Sequence, residues 1–138
     1  MLPLLGLLLT LSLPAGPDTL GEIYCSTFSI VAVDTATGDC GVAVASRVLA
    51  VGYIVPWAEP GIGAVATQAL VNPLLGPQGL DLLASGASAE ETLEALVASD
   101  PGSADRQLGV VDGAGGSATF TGSGAMDWAG GVCGPGYS

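Results

Sequence analysis

The chain has 138 residues, 49% of them hydrophobic but only 5% aromatic, and 13 acidic against two basic side chains give a net charge of −11 with no histidine. That length holds one domain whose core must be built of Val, Leu, Ile and Ala. The charge excludes nucleic acid and anionic membrane surfaces as partners, because both need clustered Lys and Arg; the missing histidine excludes Ser-His-Asp and Cys-His catalysis and every histidine-containing zinc site.

The first 26 residues read as a signal-like segment and linker. Leu2–Leu13 is an apolar run of signal length, too short to be taken as a membrane span, and Pro14-Ala15-Gly16 breaks it. It lacks a basic leader, and no A-x-A site precedes Thr27. The expectation is a secreted or periplasmic protein whose mature form has no integral membrane span. Cys25, Cys40 and Cys133 suit an oxidising compartment, and an odd set allows at most one pair within the chain.

Thr27 then opens a strand. Phe28–Val33 is apolar and β-branched with Ser29 on one face, and the turn formers of Asp34–Asp39 join it to Cys40–Ser46 as a hairpin. Ile54–Ala58 and Ile62–Gln68 are two further strand candidates around Glu59-Pro60-Gly61. Asn72-Pro73 and Gly76-Pro77 predict a loop, and Gly79–Ser85 a short helix. Ser88-x-x-Glu91 is a capping box for a second helix over Ala89–Ser99, with an apolar stripe of Ala89, Leu93, Leu96 and Val97. Asp100-Pro101-Gly102 stops it. Gln107–Asp112 and Ser117–Thr121 form a second hairpin around Gly113–Gly116. Strands, then helices, then strands mean an α+β domain over residues 27–138, with an antiparallel sheet and helices on one side. The second helix is expected to pack on the first hairpin. The glycine-rich tail from Gly122 reads as loop, and the chain reads as a fragment of a longer protein.

Five stretches, TFSIVAVDTATGDCGVAVASR (27–47), LAVGYIVPWAEPGIGAVATQ (49–68), NPLLGPQGLDLL (72–83), RQLGVVD (106–112) and the pair Thr121-Gly122 with Trp128–Gly130, occur in an order and spacing that resemble the bacterial family grouped as domain of unknown function 1028. That family is placed in the N-terminal nucleophile (Ntn) hydrolase superfamily. The resemblance implies an αββα sandwich, incomplete at its C-terminus because the family's second half is missing. It brings no substrate. Some relatives carry a domain assigned to peptidoglycan binding, which points to the cell envelope.

A hydroxyl nucleophile needs an adjacent base, and without histidine the α-amine of a residue exposed by cleavage is the natural one, with an ordinary pKa near ~8. Cys25, Ser26 and Thr27 are all of a suitable type. Thr27 begins the strand and matches the family's first residue, so it is the candidate nucleophile; otherwise it is an ordinary β-former. Arg47, at the end of the neighbouring strand, is the candidate fixed cation, or else a salt-bridge partner. Gln68, Asn72 and Ser46 are candidates for hydrogen-bonding a substrate amide, or for closing strand ends and turns; Ser29 ranks with Ser46. Asp34, Asp39 and Asp112 read as turn caps, and Trp57 and Trp128 as core anchors. No metal spacing exists, and no cofactor is expected. Two functions stay open: an amidohydrolase acting on a small-molecule or peptide-like substrate derived from the cell envelope, and a non-catalytic ligand- or cell-wall-binding module on the same scaffold. A homo-oligomer is left open.

Overall fold

Two β-sheets stacked face to face and a pair of helices make up residues 27–138, the part of the chain that the computed structural model describes. The signal-like run Leu2–Leu13 and Cys25 lie outside the described residues.

The first sheet is the expected hairpin. β1 (Thr27–Val33) and β2 (Cys40–Ser46) pair antiparallel, Thr27 opposite Ser46 and Val33 opposite Cys40. The turn closes on its own side chains: Asp34 Oδ1 accepts the Ala36 N–H at 2.9 Å, and the Thr37 hydroxyl donates to Asp39 at 3.0 Å. Such short-range bonding is why Asp and Thr favour turns over sheet.

The second sheet runs β3 (Pro56–Glu59), β4 (Gly63–Ala69), β5 (Arg106–Asp112) and β6 (Ser117–Thr121), every neighbour antiparallel. β3 starts two residues later than its apolar pattern suggests. Val51–Tyr53 forms a 3-10 turn, and the Val51 carbonyl takes the N–H groups of Ile54 and Val55. Strand alternation gives the sheet two different faces. Val65, Leu108, Val110 and Ala118 face the helices; Ala64, Ala66 and Val111 meet Val31 and Val55 in a second core between the sheets.

α1 (Leu75–Ala84) and α2 (Ala89–Ser99) cover the outer face of the four-stranded sheet. The Gly76-Pro77 pair predicts a loop, yet α1 begins before it. Pro77 lies in the first turn, where a backbone N–H has no intrahelical acceptor to lose. Gly76 is required by packing, because a Cβ there would project onto the indole of Trp57. α2 starts on the predicted capping box: Ser88 Oγ accepts the Glu91 N–H, and Glu91 accepts the Ser88 N–H at 2.9 Å. Its stripe of Ala89, Leu93 and Leu96 is buried, with Val97 packed alongside.

The layer that α2 covers differs from the expectation. It packs on β5 and β6, not on the first hairpin. The inner face of that hairpin is already occupied by the second sheet. In addition, Asp112 Oδ2 accepts the Ala89 N–H at 2.9 Å and pins the start of α2 to the end of β5. The layers among the described residues are therefore hairpin, four-stranded sheet, helices. The outer face of the hairpin leaves Phe28 71% exposed.

From Gly122 the chain is mostly loop, but its last residues return along the free edge of β1. Val31 and Ser138 exchange backbone bonds of 2.8 and 3.0 Å, and the Val33 N–H donates to Gly136 at 2.9 Å.

One ion pair ties the helical layer to the sheet. Arg106 Nε donates to Asp100 Oδ2 at 2.7 Å, and the guanidinium also reaches the Leu70 carbonyl. The Arg106 guanidinium holds the Asp100 carboxyl below its ordinary range, although burial pushes the other way. A carboxylate with a depressed folded pKa contributes stability that is complete above its unfolded value, near ~3.9, and is lost as pH falls through the folded value. The Tm should therefore drop as pH is lowered below about 4, and more shallowly in Asp100→Asn. Arg106→Met removes the ion pair but leaves Asp100 its bonds from the Gly102 N–H and the Asn72 side chain, and should cost about 2 kcal/mol at pH 7 by thermal or urea unfolding.

Candidate functional site

At one end of the stacked sheets the inward-facing side chains turn from apolar to polar. The registers set Gln68 opposite Gln107, and Gln107 opposite Thr121. One step further in, the row is Ala66, Gly109 and Thr119, and beyond that Ala64, Val111 and Ser117. On the facing hairpin, Thr27 and Ser46 stand side by side and Ser29 follows two residues on. Alternation alone produces this end, since every second residue of each strand points between the sheets.

Hydrogen bonds join the two sheets there. The Ser29 hydroxyl donates to Gln68 Oε1 at 2.7 Å. Gln68 Nε2 donates to the Thr27 carbonyl at 3.2 Å and to Gln107 Oε1 at 3.3 Å. Gln107 Nε2 continues to Thr121 Oγ1 at 3.3 Å. The hydroxyls of Thr27 and Ser46 lie 3.0 Å apart, and Ser46 Oγ accepts the Val48 N–H at 3.1 Å. Gln68 is 8% exposed, while Thr27, Ser29 and Ser46 are half-buried.

A cleft of about 760 Å3 opens onto this network. Thr27, Ser29, Gln68 and Gln107 contribute polar groups to it, Phe120 lies on its wall, and the loop around Trp128 borders it. Among the described residues that line it there is no Asp, Glu, Lys or Arg. In a chain with 13 acidic residues, a cleft of that size without one is a marked local departure.

Residues 27–138 match the model of the family of unknown function DUF1028. The chain belongs to the DUF1028 family. A crystallised DUF1028 protein from Silicibacter pomeroyi is similar, with 36% sequence identity and a TM-score of 0.76 over 80% of this chain and 52% of that one. The chain thus spans about half the length of that relative. No curated protein matches.

Of the candidates named from sequence in this DUF1028 chain, the fold brings Thr27, Ser46 and Gln68 together. Arg47 follows directly on Ser46, one residue past the partner of Thr27; it is exposed and does not line the cleft. Asn72 sits elsewhere, in the β4–α1 loop. Its Oδ1 accepts the Leu74 N–H at 3.2 Å, its side chain bonds Asp100, and its carbonyl accepts the Thr67 hydroxyl at 3.3 Å. Trp57 is a core anchor as expected, with its indole N–H donated to the Ile54 carbonyl at 3.3 Å. Trp128 is not. It is fully exposed at the cleft, because it lies in a glycine-rich loop that never enters the core. The sequence reading missed Gln107 and Thr121. The signal was present: Gln107 shares the alternation of Gly109 and Val111, the face of β5 turned away from the helices.

Among the described residues no three His, Cys, Asp or Glu side chains converge on a metal position, and no helix is long and apolar enough to cross a membrane. Cys40 and Cys133 are free thiols. Cys40 Sγ donates to the carbonyls of Glu59 and Gly63, at 3.1 and 3.2 Å, and so links β2 to the β3–β4 turn.

Proposed function

We propose that this protein is a secreted Ntn-type amidohydrolase, with the αββα sandwich of that superfamily, in which Thr27 becomes the nucleophile once cleavage after Ser26 makes it N-terminal. The observation that carries the reading is the place of Thr27. It stands at the head of β1, lines the cleft, and has its carbonyl held by Gln68 and its hydroxyl beside Ser46. Among the described residues the cleft lining holds no His, Asp, Glu or Lys, which favours the amine of the same residue as the base.

In the proposed reaction the amine accepts the hydroxyl proton as Thr27 Oγ1 adds to the amide carbonyl. It then returns the proton to the leaving nitrogen, and water hydrolyses the resulting ester by the reverse exchange. Arg47, permanently charged and one residue past the partner of Thr27, favours the neutral amine from outside the cleft.

The lining also argues for the substrate class. Among the described residues the lining offers an ionised ligand no side-chain countercharge, and an anion would additionally meet the field of a molecule of net charge −11. A neutral amide with an apolar or planar substituent fits the uncharged lining and the aromatic walls. The test is a set of p-nitroanilides that differ only in the acyl cap, acetyl against succinyl. The acetyl compound should show a kcat/KM at least about tenfold higher, the effect of roughly 1.4 kcal/mol in the transition state; equal or faster cleavage of the succinyl compound contradicts a neutral substrate.

The exposed Trp128 at the cleft also suits a non-catalytic binding module that stacks the flat face of a sugar or cell-wall fragment. That reading predicts binding that survives loss of the Thr27 hydroxyl and needs no cleavage before it.

A further inference from the structure

The geometry points to Gln68 as the residue that positions the nucleophile. Its carboxamide, held between the sheets, fixes where Thr27 stands. This rests on the reading of Thr27 as nucleophile and assigns Gln68 a task other than contacting substrate.

Gln68 is buried, and both ends of its amide are engaged by the protein. Only one orientation satisfies its neighbours. Nε2 faces two acceptors, the Thr27 carbonyl and Gln107 Oε1, and turning the amide over would set oxygen against oxygen twice. The Ser29 hydroxyl, 2.7 Å from Oε1, holds the other end. The carboxamide is therefore a rigid strut from the four-stranded sheet to the first residue of β1.

Thr27 needs such a strut. A free N-terminal residue at a strand end frays, because only its register partner restrains it. Here that partner is Ser46 on one side. The bond from Gln68 to the Thr27 carbonyl adds a restraint from the opposite sheet, next to the atoms that would react. Displacement of a reacting group by about 1 Å costs on the order of 10²-fold in rate, so a restraint on the first residue bears directly on turnover.

The test uses the processed protein and a β-lactone as acylating probe. Thr27 Oγ1 forms a bond to the lactone carbonyl carbon, the ring C–O bond breaks, and the freed oxygen takes the proton relayed by the Thr27 amine. Acylation is followed by mass spectrometry of the Thr27 peptide, giving a limiting rate and a half-saturating concentration. Gln68→Met, similar in length but without the amide, should lower the limiting rate about tenfold while half-saturation stays within about twofold. Gln68→Glu retains the acceptor for Ser29 but sets a carboxylate oxygen against the Thr27 carbonyl, so it breaks the strut and brings a negative charge to the residue that carries the amine. It should move the acid limb of the rate–pH profile to higher pH, because the ammonium form is favoured. That shift is one a merely structural role would not produce, and it carries the test if the Met variant does not fold. A limiting rate unchanged in Gln68→Met, or an acid limb unmoved in Gln68→Glu, overturns the proposal. A wild-type protein that is not acylated at Thr27 overturns the nucleophile reading, and this assignment with it, before either Gln68 variant is considered.

Discussion

Thr27→Ala should abolish amide hydrolysis while the protein stays folded. Removal of a positioned nucleophile, or of the base that acts with it, costs 10²-fold at the least and on the order of 10⁶-fold where the groups act as a unit. The fold should survive, because among the described residues the hydroxyl's one hydrogen bond is that of 3.0 Å to Ser46, at a half-buried strand end; its loss is worth about 1 kcal/mol. Turnover by the purified variant, set beside its Tm, reads both effects at once, and turnover at the wild-type rate rules the mechanism out. Arg47→Met should be milder, on the order of tenfold, because this exposed charge acts on the amine from outside the cleft.

A large stability loss is expected at Gly63. This first residue of β4 has φ +150°, a conformation that side chains with a Cβ rarely adopt, and a Cβ there would run into the Val111 carbonyl oxygen, with Leu83 Cδ1 at 3.0 Å. The carbonyl cannot withdraw, because Gly63 is paired with Asp112 at the start of the β4–β5 ladder. Strain of this kind costs about 1–3 kcal/mol for the backbone and as much again for overpacking. Gly63→Ala should therefore lower the Tm by roughly 10 °C or more for a domain of this size. A Tm within a degree or two of the wild type would contradict the packing described.

What could be read from the sequence followed local rules. β1, β2 and their turn came from alternation and from Asp34 and Asp39, and α2 from a capping box that bonds as its spacing implies. The sequence pattern starts the first helix late, at Gly79, because Gly76-Pro77 reads as a break, whereas Pro is tolerated in a first turn and Gly is demanded by the Trp57 ring. The choice of sheet under α2 was not local at all. It depends on which face the second sheet leaves free and on the bond from Asp112 to Ala89, 23 residues away. The site shows the same division. Thr27, Ser46 and Gln68 could be named from strand ends, but Gln107 becomes a neighbour of Gln68 only through the β4–β5 register. Residue type alone assigns Trp128 to the core, whereas its glycine-rich surroundings leave it in solvent.

The central claim is that Thr27 acts with its own free amine. Periodate cleaves the bond between Cα and Cβ only where amine and hydroxyl are adjacent and unblocked, which for Thr means the N-terminal position. The decisive measurement is the intact mass of the exported protein before and after periodate. The account predicts a mature chain that begins at Thr27 and, as periodate is reduced to iodate, releases acetaldehyde and ammonia to leave a glyoxylyl terminus. A mature chain that still carries Ser26 or anything before it, with Thr27 untouched, contradicts the account.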